Sequence, residues 1–254
     1  MRSTLSLIHR EFSAYFLSPI AYVVLAVFLA FTGHLFWLTM VQLVAKGPQG
    51  IYFPMQLMVT DPWFWLVFLF IPPLLTMRLL AEERGTGTLE MLLTAPLRDW
   101  QIVISKYLAC LAFYVLLWLP TLAYLPVLTD WEAGTVTSGI DPWPIATTYL
   151  GLFLAGAMFL AMGLFVSSLV KSQMVAALIS LFLGLIFLVA GFWKPTEMDA
   201  DVYRMLSFFT VPLHFEKNFG RGILDTRQLV LYATLTLFFL FLTIRSLESR
   251  RWRQ

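Results

Sequence analysis

The chain has 254 residues, of which 59% are hydrophobic and only 13% are charged. Soluble domains have about 45–50% apolar and about 25% charged residues, so a soluble core of this size could not bury so much apolar surface. The net charge of +2 is scattered along the chain, which excludes the dense basic patch that binds nucleic acid. These proportions predict an all-α membrane protein that forms a single domain over residues 1–254.

The sequence does not predict a metal or catalytic centre. Cys110 is the only cysteine and lies within an apolar run, so we interpret it as a packing residue. His9, His34 and His214 lie far apart, without a cysteine or carboxylate at the spacing of a metal site. We therefore expect no metal ion, no cofactor and no catalytic residue.

Uncharged stretches predict six membrane-spanning helices, because a charge at the bilayer centre is costly and about 20 apolar residues span the bilayer. In chain order they are Pro19 to Val44, Trp63 to Ala81, Tyr107 to Thr129, a stretch within Pro142 to Val170, Ser172 to Trp193, and Gln228 to Ile244. The second is short and includes Arg78, whose long side chain can extend to the membrane surface. An even number of spans places both termini on one side.

The distribution of basic residues indicates that this side is the cytoplasm. With both termini inside, eleven of the seventeen Lys and Arg residues are cytoplasmic. They are Arg2, Arg10, Arg78, Arg84, Arg98, Lys106, Lys171, Arg245, Arg250, Arg251 and Arg253. The other six lie outside with nine of the fifteen acidic residues, so both termini are expected in the cytoplasm.

Two segments outside the spans have an amphipathic pattern. Residues 1–18 predict a helix in the membrane surface, with an apolar stripe of Leu5, Ile8, Phe12, Tyr15 and Phe16. The external loop, residues 195–226, predicts two short, partly re-entrant helices separated by Pro212. Their apolar stripes are Val202, Met205, Leu206 and Phe209, and then Phe215, Phe219 and Ile223.

The fourth and fifth spans carry small residues four positions apart. The pairs are Gly151 with Ala155, Ala157 with Ala161, Gly163 with Ser167, and Ser180 with Gly184. Small residues at this spacing let helix backbones approach closely in lipid, so we expect tight helix packing within the subunit.

The loop between the second and third spans has the strongest local signals. Gly85 and Gly87 allow a sharp turn after the preceding helix. Thr86 or Thr88 can cap a new helix, which Pro96 then ends about two turns later. The sequence therefore predicts a short, isolated cytoplasmic helix.

One face of this short helix carries Leu89, Leu92 and Leu93. Because the membrane has ended, that face needs a groove on another protein to bury it. The alternative is an interfacial loop in which the leucine pattern arose by chance. A phosphate-binding loop is excluded, since no Gly-Lys-Ser/Thr follows the glycines.

The segment resembles a loop of the ABC-2 type permeases, in particular the gliding-motility ABC permease branch. In that family it reads Glu-x-x-x-Gly-Thr-x-Glu-x-Leu-Leu-x-x-Pro, with a Gly/Ser-Lys a little later. The matching residues here are Glu83, Gly87, Thr88, Glu90, Leu92, Leu93, Pro96 and Lys106. The doublet Gly85-Thr-Gly-Thr88 departs from the single Gly-Thr of the family. The N-terminal stretch from Glu11 to Tyr22 is also similar to the opening of this branch.

The resemblance implies that the loop, residues 82–100, holds a coupling helix that docks on a separate ABC ATP-binding subunit, itself a dimer. The coupling residues would be Glu82, Glu83, Arg84, Gly85, Thr86, Gly87, Thr88, Leu89, Glu90, Leu92, Leu93 and Pro96. It also implies a second permease copy or a related permease, a location in the bacterial inner membrane, and often a membrane partner with a large extracytoplasmic domain. The chain itself would not be an enzyme.

Two alternatives remain beside an ABC permease that exports a substrate or does conformational work. The first is a scaffold that transmits force to an extracytoplasmic partner without transport. The second is an intramembrane hydrolase using Ser167 or Ser168 with His34, although the sequence has no Gly-x-Ser-x-Gly elbow. Secondary transport is disfavoured, because no Asp or Glu lies well inside a span.

Overall fold

A computed structural model describes residues 2–46, 54–88, 98–124, 126, 142–192 and 208–251. All regular structure within these residues is helical, which confirms the all-α prediction. The α-helices are α1 (Arg2–Leu17), α2 (Pro19–Lys46), α3 (Pro54–Thr60), α4 (Pro62–Thr76), α5 (Ala81–Thr86), α6 (Asp99–Trp118), α7 (Pro142–Leu169), α8 (Gln173–Phe192), α9 (Val211–Lys217) and α10 (Thr226–Arg251). Two short 3-10 helices, Leu119–Ala123 and Phe219–Arg221, follow α6 and α9.

Five helical stretches of the described chain are long and apolar enough to cross a membrane. They are Pro19–Gln42, Pro62–Thr86, Asp99–Ala123, Pro142–Leu169 and Thr226–Ser249. The apolar stretch of α8, Gln173–Leu188, is shorter than these five. Five of the six predicted spans are therefore confirmed as helices of membrane-spanning length, and the remaining one, α8 as the fifth span, stays a prediction.

The helix α7 lies at the centre of the bundle, where it packs against α4, α6, α8 and α10. A Cβ atom at Gly156 would overlap the ring of Tyr114 in α6, and one at Gly163 would overlap Thr76 at the end of α4. Larger residues at these two positions would push the helices apart. The close packing that the small residues of the fourth span predict is thus confirmed within the subunit.

Contacts at the two ends of α7 fix the directions of its neighbours. Near the N-terminus of α7, Trp143 Nε1 donates to the carbonyl of Gly222, just before α10, at 2.8 Å. Near its C-terminus, Ser168 Oγ donates to Ser246 Oγ in the last turns of α10 at 3.2 Å. The helices α7 and α10 therefore run parallel, as the fourth and sixth spans of a six-span chain should.

The N-terminal helix α1 packs against α6, and the prediction of a helix there is confirmed. The ring of Tyr15 stacks on Phe113 with a centroid distance of 4.9 Å, and its hydroxyl donates to the carbonyl of Leu75 at 3.0 Å. These contacts attach α1 to the ends of α4 and α6. Its place in the membrane surface stays a prediction.

The helix α9 corrects the prediction for the external loop. Pro212 lies in the first turn of α9 instead of between two helices, where its missing N–H removes no intrahelical hydrogen bond. Phe215 and Phe219 are buried as predicted, but Ile223 is 52% exposed and does not continue their stripe. The first predicted helix of the loop falls largely on residues 193–207, outside the described residues.

Candidate functional site

The break between α4 and α5 is held by one side chain of α7. Ser167 Oγ accepts hydrogen bonds from the backbone N–H groups of Leu80 and Ala81 at 3.2 and 3.0 Å. The same hydroxyl donates to the carbonyl of Met77 at 3.3 Å. Because the chain leaves its helical hydrogen-bonding pattern here, these groups need another partner. Ser167 thus fixes where α5 begins.

Gly85 lies inside α5, so the prediction that it forms part of the turn was wrong. A Cβ atom at this position would lie 3.0 Å from the carbonyl oxygen of Lys171, in the turn between α7 and α8. The glycine therefore allows a close approach between α5 and that turn. Gly87 does form the predicted turn, with φ of +77° in the left-handed region that favours glycine.

Thr86 closes α5 and does not begin the next helix. Its hydroxyl donates to the carbonyl of Glu82 at 3.0 Å, one turn earlier, and lies 2.9 Å from the hydroxyl of Thr88. Of the two threonines proposed as caps, only Thr88 lies beyond the turn at Gly87.

An ion cluster joins α5 to α1 and α6. Lys106 Nζ in α6 lies 2.7 Å from Glu83 Oε1 in α5 and 3.1 Å from Glu11 Oε2 in α1. Only 3% of the Lys106 side chain is exposed. We call Glu11, Glu83 and Lys106 the Lys106 cluster. A buried ammonium is costly without such partners, so the two carboxylates explain how this lysine can lie inside a helix bundle.

Glu11 is held in its ionised form. Burial alone would raise the pKa of Glu11, but the charges of Lys106 and Arg10 and their hydrogen bonds outweigh burial, and its pKa is lowered from the usual 4.5. Arg10 Nη2 lies 2.7 Å from Glu11 Oε1, on the exposed side of the carboxylate. Glu11 therefore faces the buried Lys106 side chain as a carboxylate at neutral pH.

Two arginines add contacts around α5. Arg78 Nε lies 3.0 Å from Glu82 Oε2, and Arg78 Nη1 donates to Ser18 Oγ between α1 and α2. Arg84 Nη1 donates to the carbonyl of Ser168 near the end of α7 at 3.1 Å. This short helix is thus connected directly to α6 and α7, and to α1 through Lys106.

The predicted coupling residues divide into two groups. Those that the structure describes form α5 and its C-terminal turn: Glu82, Glu83, Arg84, Gly85, Thr86, Gly87 and Thr88. The remaining residues, Leu89, Glu90, Leu92, Leu93 and Pro96, lie outside the described residues, so the short leucine-faced helix stays a prediction. Lys106, which the family pattern placed farther along the chain, contacts Glu83 directly.

Sequence reasoning missed the roles of Glu11 and Ser167. The signal for Glu11 was present, since it is the only acidic residue before Asp61 and lies in a helix with an apolar stripe. Ser167 was considered as a small packing residue paired with Gly163 and as the nucleophile of the alternative hydrolase, but not as an acceptor for backbone groups. In the structure its hydroxyl binds backbone groups, whereas His34 is exposed on α2 and stacks on Trp37 with a centroid distance of 6.0 Å. Nothing in this geometry favours a hydrolase.

A comparison with protein families agrees with this arrangement. A family model described as ABC-2 family transporter protein matches residues 38–244, well over half of the chain. No curated protein sequence matches the chain significantly. The matched region includes α5, Ser167 and Lys106, and only α1 and the first part of α2 precede it. The chain therefore belongs to the ABC-2 transporter family, whose members are non-catalytic, multi-pass membrane components that work with ABC ATP-binding subunits, generally as dimers.

Proposed function

We propose that this chain is the permease subunit of an ABC transporter, and that a separate ATP-binding subunit docks on residues 82–100 to drive substrate export or conformational work. The observation that supports this most is the anchoring of α5. This short helix precedes the predicted docking segment, contacts α6 and α7 through charged side chains and Ser167, and is linked to α1 through Lys106.

The contacts of α5 suit it to transmit movement. A partner that pulls or tilts the segment after Gly87 would act on Glu83, and through Lys106 on α6 and α1. Separating Lys106 from its carboxylates would leave a buried charge without a partner, which costs about 3–5 kcal/mol in comparable pairs. The contacts of Lys106 would therefore stay intact when the partner pulls on α5, and α5, α6 and α1 would move together.

The docking segment itself is proposed from the sequence pattern. Leu89, Leu92 and Leu93 would fill a groove of the ATP-binding subunit, while Glu90 and Pro96 complete the family pattern. Two permease copies, or this chain with a related permease, would place one such segment on each of two ATP-binding subunits.

We also propose a six-span topology with both termini in the cytoplasm of a bacterial cell and the spans in its inner membrane. The 20 residues of α8 would extend about 30 Å, which equals the hydrocarbon thickness of a bilayer. Counting α8 as the fifth span keeps α10 parallel to α7, in agreement with the contacts at both ends of these helices. The helix α9 would then be re-entrant from outside, and α1 would lie on the cytoplasmic surface.

The assignment to the gliding-motility branch is part of the same proposal. The stretch from Glu11 to Tyr22 carries the similarity to that branch, and Glu11 and Ser18 within it contact Lys106 and Arg78. If the branch is right, a membrane protein with a large extracytoplasmic domain is a further expected partner.

Site-specific photo-crosslinking tests the proposed docking. In a Cys110→Ala background, Thr88→Cys and Ile223→Cys would each carry a benzophenone maleimide. Both positions are exposed and lie at opposite ends of the bundle. Irradiated membranes containing the native partners should give an adduct with an ATP-binding subunit from position 88 only. Equal crosslinking from both positions, or crosslinking to that subunit from position 223 alone, would contradict the proposal.

A further inference from the structure

A cavity of about 310 Å³ lies beside the Lys106 cluster. It is bounded by α1, α2, α4, α5 and the start of α6. Four charged side chains besides Glu11 line it: Arg78, Glu82, Glu83 and Lys106. Apolar side chains of α2 and α4, among them Ile20, Val24 and Leu74, line much of the rest. Its size falls at the lower end of the range of about 300–1,000 Å³ for ligand pockets, and its lining suits an amphipathic ligand.

One carboxylate oxygen of the charged lining has no hydrogen-bond donor among the described residues. Glu83 Oε1 accepts from Lys106, but Glu83 Oε2 is buried and accepts no hydrogen bond from the residues that the structure describes. A buried carboxylate oxygen without a donor is unfavourable, and buried polar atoms almost always have a partner. A ligand ammonium with N–H groups would satisfy it once the Glu83 carboxylate turns this oxygen toward the cavity that the residue lines.

A phosphate can be accommodated next to this carboxylate. Arg78 donates a hydrogen bond from Nε to Glu82 and one from Nη1 to Ser18. Its Nη2 donates none to the described part of the chain. Its side chain is 35% exposed and lines the cavity. Guanidinium groups bind phosphate oxygens well. The same cavity therefore offers an acceptor for an ammonium and a donor for a phosphate.

The cavity also has an apolar rim at the first turn of a membrane-spanning helix. Ile20, at the start of α2, lines the cavity and is 41% exposed, and the neighbouring Leu17 at the end of α1 is 85% exposed. In a bilayer these side chains would contact lipid. We infer that the cavity binds the head group of a phospholipid that carries a primary amine, with its ammonium at Glu83, its phosphate at Arg78 and its acyl chains along α2.

The chemistry of the cavity distinguishes this lipid from two common alternatives. A trimethylammonium head has no N–H to donate to Glu83 Oε2, and proteins usually bind such groups in aromatic cages. Tyr15 is the only aromatic residue among those that line the cavity. A glycerol phosphate head lacks an ammonium and would bring a negative charge towards Glu82 and Glu83. The aminoethyl phosphate head fits both the carboxylate and the guanidinium.

The inference does not depend on coupling to an ATP-binding subunit, so the full chain alone can test it. The purified protein in mild detergent would be incubated with equal amounts of phosphatidylethanolamine, phosphatidylcholine and phosphatidylglycerol, and the retained lipid would be counted by native mass spectrometry. The wild-type chain should retain phosphatidylethanolamine preferentially. Glu83→Gln should lower this retention by about tenfold or more, because it removes a charged hydrogen-bond acceptor.

A second pair of variants separates lipid binding from folding. Ile20→Trp should block the rim without changing any charge and should also reduce retention, whereas Ile223→Trp at the opposite end of the bundle should not. Equal retention of the three lipids by the wild-type chain, or unchanged retention in both Glu83→Gln and Ile20→Trp, would overturn the inference. Complete displacement of the lipid by free O-phosphoethanolamine at the same concentration would also overturn it, since the acyl chains would then contribute nothing.

Discussion

Lys106 Nζ and Glu83 Oε1 lie 2.7 Å apart, so α6 is joined directly to the short helix α5. Twenty-three positions separate the two residues in the chain. Glu11, 95 positions before Lys106, contacts the same ammonium.

Replacement of Lys106 should destabilise the end of the bundle where α1, α5 and α6 meet. Lys106→Met would leave Glu11 and Glu83 facing each other without their buried cation, at a cost of up to about 3–5 kcal/mol. The midpoint of thermal unfolding in detergent should fall, and Glu83→Gln added to Lys106→Met should restore part of the loss. Lys171→Met, an exposed lysine near the same end, is the control. An unfolding midpoint unchanged by Lys106→Met would mean that the cluster contributes nothing to stability.

Ser167→Ala should loosen the break between α4 and α5. The backbone N–H groups of Leu80 and Ala81 are buried and would lose their acceptor, with an expected cost of about 1–3 kcal/mol. Hydrogen exchange at these two amides should become faster. Ser249→Ala, which changes an exposed serine of α10, should leave the exchange unchanged. If exchange at Leu80 and Ala81 stays slow in Ser167→Ala, another group must hold the break.

The contact between α1 and α6 should depend on pH in the acid range. Glu11 has a folded pKa below 4.5, so its stabilising effect is fully present above that pH and is lost as the pH falls through the folded pKa. Hydrogen exchange in α1 should therefore stay constant from pH 7 to about pH 5, after correction for intrinsic rates, and rise below about pH 4. Glu11→Gln should show faster exchange at neutral pH and a weaker acid response. If Glu11→Gln shows the same acid response as the wild-type chain, groups other than Glu11 cause that response.

The topology can be tested with single cysteines in a Cys110→Ala background. Lys217→Cys, in α9, should react with a membrane-impermeant maleimide on intact cells, and Gln254→Cys should react only after the membrane is opened. This outcome follows from the distribution of Lys and Arg and from an even number of spans. The reverse pattern would invert the orientation, and labelling of both cysteines would require an odd number of spans.

Much of the helical architecture followed from the sequence, because charges are excluded from the bilayer centre and mark the ends of spans. Lys171 and Arg227 do lie near helix ends, at the start of α8 and α10. Lys106 does not, since α6 begins at Asp99 and continues through it. Its burial depends on Glu11 and Glu83, whose contacts through space no local pattern reveals. A lysine beside an apolar run therefore did not mark the start of the helix, and its place at the membrane boundary stays a prediction.

The candidate site was predictable only in part for a similar reason. The turn at Gly87 could be predicted from the conformational freedom of glycine, and Gly87 does adopt a positive φ in the structure. The role of Gly85 follows from the approach of Lys171, which a local sequence pattern does not contain. Ser167 is recognisable as an interface residue from its spacing to Gly163, but the groups it binds lie in another helix. Tertiary contacts thus determine which residues of the motif act together.

The most direct test of the proposed coupling is recovery of the ATP-binding subunit with the variant Leu92→Asp/Leu93→Asp. Each buried leucine contributes about 1.5–3 kcal/mol, and two carboxylates in the groove add a desolvation cost, so affinity should fall at least about a hundredfold. The variant should keep the expression level and unfolding midpoint of the wild-type chain, as should the control Thr135→Asp/Thr137→Asp in the loop between the third and fourth spans. The account predicts that the ATP-binding subunit co-purifies with the control and not with the leucine variant. Normal recovery and normal ATP turnover with the leucine variant would show that residues 87–96 are not the coupling element.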